Sequence, residues 1–61
     1  MVEEREVIFE FIRVGAALKV TAVDAETGIE ASIVGDPNAD EASLRRVAKQ
    51  KLDYVMNRGK A

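Results

Sequence analysis

Residues 6–24 read EVIFEFIRVGAALKVTAVD, and side-chain character alternates with period two on both sides of Gly15. Alternation of that kind is the mark of a β-strand with one buried face. Glycine in the first position of a two-residue turn permits the positive φ of a type II′ hairpin, so Gly15 and Ala16 are read as the turn. Counting outward, Val14 pairs with Ala17, Ile12 with Lys19, Phe11 with Val20, Glu10 with Thr21, Phe9 with Ala22 and Ile8 with Val23. Directly opposed residues share a face. One face therefore collects Phe9, Phe11, Leu18, Val20 and Ala22.

The next connection, DAETG, ends in a glycine suited to the left-handed position that closes such loops. With Ala25 to Gly28 as the loop, Asp24 opposes Ile29, Ala22 opposes Ala31 and Val20 opposes Ile33. Ile29, Ala31 and Ile33 then join the same apolar face. Two turns placed independently give one consistent core face, which a one-residue slip in either would destroy. The reading is a three-stranded antiparallel β-meander with strands over about 6–14, 17–24 and 29–34.

After VGDPNAD the period changes. Pro37 cannot donate to a ladder, and beyond it Leu44, Val47, Ala48, Lys51, Leu52 and Val55 recur at helical spacing. A helix is expected over about 40–58, started by Asn38 with Glu41 or by Asp40 alone and ended by Gly59. It lays Leu44, Val47, Ala48, Leu52 and Val55 across the core face. Tyr54, Met56 and Phe9 read as core or rim residues, and Lys51 as a stem along the sheet edge with its amine in water. The whole is one α+β domain of 61 residues, βββα, with residues 1–5 expected to be disordered.

A chain this short buries only about 60% of the surface that it exposes when unfolded. Such domains commonly need a disulfide, a structural metal or self-association. With no cysteine and no histidine the first two are essentially closed. Self-association remains, and the outer sheet face supplies a reason for it. Ile8, Ile12, Val14, Val23 and Val34 are apolar on the side that the helix leaves open, where a set of apolar residues calls for explanation. These five are the candidate association surface, for a homodimer or another protein partner, with a strand edge as the other route. The plainer alternative is that β-branched residues form good strands even when half exposed.

Charge is uneven along the chain: residues 1–40 hold nine acids against three bases, and residues 41–61 hold two acids against six bases. A basic solvated helix explains this, and a nucleic acid or acidic partner on Arg45, Arg46 and Lys49 is the alternative. Nucleic acid is disfavoured, because the open sheet face offers Lys19, Glu10, Glu30 and aliphatics where base readers and phosphate ligands are needed. The loop VGDPNAD is acidic and would repel phosphate. No catalytic, cofactor or metal site is read from the sequence. A histidine base is missing, and Glu10 and Glu30 are better explained as solvated strand charges. The start MVEEREV lacks the basic and apolar regions of a secretory signal, and no apolar run approaches the roughly 20 residues of a membrane helix. A cytoplasmic protein is expected, without membrane contact.

The segments EVIFEFIRVG, KVTAVDAETG, SIVGDP and KLDYV, in that order over residues 6–56, resemble a family of small uncharacterised bacterial proteins classed as a domain of unknown function. The resemblance implies the βββα fold and brings no activity, ligand or catalytic residue. The expected function is thus a non-enzymatic interaction or self-associating module.

Overall fold

The computed structural model describes residues 6–58. Strands β1 (Val7–Val14), β2 (Ala17–Asp24) and β3 (Glu30–Gly35) form an antiparallel sheet in the order β1-β2-β3, and helix α1 (Glu41–Arg58) follows. This is the α+β meander with a C-terminal helix that the alternation predicts. The β1-β2 register runs from Val7 opposite Asp24 to Val14 opposite Ala17, and β2-β3 sets Val20 against Ile33 and Ala22 against Ala31. Both registers follow from the turn chemistry. β1 begins one residue later than expected, β3 is displaced by one residue at each end, and α1 begins at Glu41. Residues 1–5 and Gly59, the expected helix stop, lie outside the described residues.

Gly15 has a φ of 59° and, among the described residues, no non-glycine residue has positive φ, so within this turn positive φ is confined to the first position, as type II′ requires. The β2-β3 loop is built on Asp24, which is buried at 1% exposure. Its carboxylate accepts hydrogen bonds from the Glu26 and Thr27 amides at 2.8 and 3.3 Å, while its carbonyl accepts from Gly28 N at 2.8 Å. Gly28, with φ 81°, then turns the chain into β3. Of the two helix starts considered, Asp40 is the cap: its carboxylate accepts from Ser43 N at 3.2 Å, and its carbonyl takes the Leu44 amide at 3.1 Å.

The helix lies over β2 and β3 and makes no comparable contact with β1. Val20, Ala22, Ala31, Leu44, Ala48 and Leu52 form the buried core, with Val7, Phe9, Phe11, Leu18, Ile33, Val55 and Met56 packed around it. Gly35 permits the close approach at one end, since a Cβ there would lie 2.7 Å from Leu44 Cδ2.

Three residues assigned to the core or its rim are exposed instead: Ile29, Val47 and Tyr54. Ile29 precedes β3, where the pleat does not yet direct its side chain inward. Val47 stands about 100° around the helix from Ala48, on the flank that also carries Lys51 and Tyr54. That flank overhangs the β3 edge, because Lys51 Nζ donates to the Ser32 carbonyl at 2.9 Å. Lys51 runs along the sheet edge and is exposed, as expected, and its amine in addition donates to that edge. Tyr54 lies outside, with the Arg58 guanidinium 5.7 Å from its ring centre.

Leu52 is fully buried and is the largest side chain so placed. Leu52→Ala should cost about 2–5 kcal/mol, out of the roughly 3–9 kcal/mol that a chain of this size has in total. Thermal melts followed by circular dichroism should show a fall of more than about 10 °C.

Candidate functional site

The outer face is ordered by the same register. Its rows across β1, β2 and β3 are Ile12, Lys19, Val34; then Glu10, Thr21, Ser32; then Ile8, Val23, Glu30. The middle of this face is closed: Thr21 is buried, and its hydroxyl lies 2.8 Å from that of Ser32, in a hydrogen-bonded pair. Apolar exposure sits at the margins, with Ile8 at 54%, Ile12 at 44%, Val14 at 56% and Val34 at 71%. Val23 is half-buried beside Ile8.

The structure thus places all five candidate association residues on one face but divides them. Lys19 separates Val34 from Ile12, and Glu10 interrupts β1 between Ile8 and Ile12. What remains on the β1 side is two apolar groups, Ile8 with Val23 and Ile12 with Val14. On the opposite face, Phe9 and Phe11 of the same strand are half-buried, since the helix sits over the other two strands. Strand β1 is therefore incompletely covered on both faces.

It is also an edge. Ala25 N donates to the Glu6 carbonyl at 3.0 Å, so residue 6 turns its main-chain groups toward β2. Along an antiparallel ladder these directions alternate. Val7, Phe9, Phe11 and Arg13 consequently aim their N–H and C=O groups away from the sheet. The turn that fixes the register already implies which of these backbone groups face outward.

The alternative surface is brought together only in part. Arg45 pairs with Glu41 at 3.3 Å and lies 5.9 Å from the Phe11 ring centre, half-buried on the β1 flank of the helix. Lys49 pairs with Asp53 at 3.6 Å, and Arg46 is exposed. The first two charges are compensated within the chain. Glu10 and Glu30 stand on strands separated by β2, a span of about 10 Å. Among the described residues no group of three or more His, Cys, Asp or Glu is placed to hold a metal ion, and no helix is long and apolar enough to cross a membrane.

The chain belongs to the family described as a domain of unknown function (DUF6898), whose model matches residues 4–59. No curated protein and no solved structure matches it.

Arg45 acts as a structural side chain on the β1 flank, over Phe11. Arg45→Ala should lower stability by about 0.5–1.5 kcal/mol through the lost ring contact and ion pair. Arg46→Ala, by contrast, should stay within about 0.5 kcal/mol of the parent. Urea unfolding of the two variants checks the difference.

Proposed function

We propose that this domain is a non-enzymatic interaction module that works by self-association through β1. The observation that carries the reading is the position of the helix: it leaves one strand apolar on both faces and open along its edge. The small core supports it: six buried apolar residues among those described, with no cysteine or histidine in the sequence to add a disulfide or a structural zinc, gain most readily from a second chain. Ile8, Ile12, Val14 and Val23 are the side chains that such an interface would draw from the outer face, and Val34 lies apart from them. The basic helix is the weaker candidate, because two of its three singled-out cations already have acidic partners.

Ile12→Glu tests the reading. In the monomer the new carboxylate opposes Lys19, so the fold is retained. At an interface on β1 it adds a negative charge beside or opposite Glu10 and removes an apolar side chain. Sedimentation of the wild type at tens of micromolar should show a dimer or larger species. The variant should be a folded monomer, with association weakened by about tenfold or more.

A further inference from the structure

We infer that β1 pairs antiparallel with β1 of a second copy, about a two-fold axis at Phe11, to give one continuous six-stranded sheet. The inference rests on the self-association reading above and specifies its geometry.

The two edges of the sheet differ in a way that selects β1. On β3 the outward main-chain groups belong to the even-numbered residues, and one of them, the Ser32 carbonyl, is occupied by Lys51 Nζ. That strand has six residues, and Asp36 and Pro37 follow it directly. Short length, a lysine and a nearby proline are the devices that blunt an edge. β1 has eight residues, VIFEFIRV, without proline or glycine, and its ladder to β2 is unbroken by a bulge. Six of those eight are apolar, which makes the strand a template for another of its own kind.

Strand β1 is also complementary to itself. The groups free to pair are those of odd-numbered residues, so odd must meet odd, which keeps the faces of the two sheets aligned. With Phe11 on the axis, Phe9 opposes Arg13 of the second copy, Ile8 opposes Val14 and Glu10 opposes Ile12, and the overlap spans residues 8–14. No like charges are opposed, and the Arg13 guanidinium meets an aromatic ring. Moving the register by two residues so that the axis falls on Glu10 sets Glu10 directly against Glu10 in a closely spaced pair, which like charges destabilise. Other shifts shorten the overlap to residues 10–14 or 7–11. On the helix side, each helix stays over its own β2 and β3. The half-buried Phe9 and Phe11 of both copies then line one shared trough between the helices. The contact is isologous and closes at two chains.

Arg13→Pro is the discriminating substitution. The Arg13 N–H points away from β2, so proline leaves the β1-β2 ladder intact while removing a donor at the free edge. Its Nε bond to the Gly15 carbonyl at 3.3 Å is exposed and local. Arg13→Pro should stay folded by circular dichroism and raise the dimer dissociation constant by about tenfold or more, since the donor is lost twice in a symmetric pair. Arg13→Ala, which keeps the N–H, should still dimerise. Amide exchange of the wild type gives a second reading that needs no variant: the Phe9, Phe11 and Arg13 amides should exchange at least about tenfold more slowly in the dimer than on dilution to monomer. A dimer that tolerates Arg13→Pro and leaves those amides in fast exchange would overturn the strand pairing, with self-association still standing through another surface. A wild type that stays monomeric to about 1 mM would overturn both.

Discussion

One helix cannot roof three strands. With side chains a helix is about 10 Å wide, and strands lie about 4.8 Å apart, so a single helix covers two of them well. In this domain the two are β2 and β3, and the residues beneath the helix show why. Ala22 and Ala31 on the sheet and Ala48 on the helix keep the layers close, and Gly35 lets Leu44 reach the end of β3. Phe9 and Phe11 stand on the third strand, packed around the core but half-buried. Long side chains from β1 reach toward a core that the helix itself does not extend over them. The buried centre is small, and the uncovered remainder is concentrated on one strand.

The position of the helix also decides how the sheet ends. Overhanging β3, it brings Lys51 within 2.9 Å of a free carbonyl and so occupies that edge with a charge that strongly prefers water. The same displacement leaves β1 with Arg45, whose guanidinium reaches the Phe11 ring from the helix but supplies no group to the strand's main chain. Protection of one edge and exposure of the other are thus a single consequence of where the helix sits. The basic character of the C-terminal third has an internal use as well: Lys51 guards an edge, while Arg45 and Lys49 hold helical ion pairs.

The registers were legible because Gly15 and Gly28 each fix a turn and the alternation leaves no second choice. Asp40 and the stripe Leu44, Ala48, Leu52 were legible for similar local reasons. Val47 and Ile29 were misplaced by the same rules. A helical stripe read at three-and-four spacing is wider than the strip that a two-strand contact can bury, and period-two reading carries past the point where β3 begins. The five candidate association residues do share a face. Their division by Lys19 and Glu10 follows from the register, whereas the burial of Thr21 depends on how neighbouring side chains lie across the central strand. The helix offset, and with it the state of each edge, is a property of packing between layers and leaves little trace in a linear pattern.

An exposed strand edge can carry function without any side-chain constellation. Catalytic and metal chemistry announce themselves through residue types at fixed spacing. Strand addition uses main-chain N–H and C=O groups, which every residue possesses, and side chains only tune which partner fits. A surface of this kind has no motif; it is defined by which strand is last in the sheet and which edge is left unguarded. In the proposed pairing of β1 with a second copy, two charged side chains would do that tuning. Glu10 and Arg13 are its two charges, and in the proposed register with Phe11 on the axis they oppose Ile12 and Phe9 of the second copy, so neither meets its own kind.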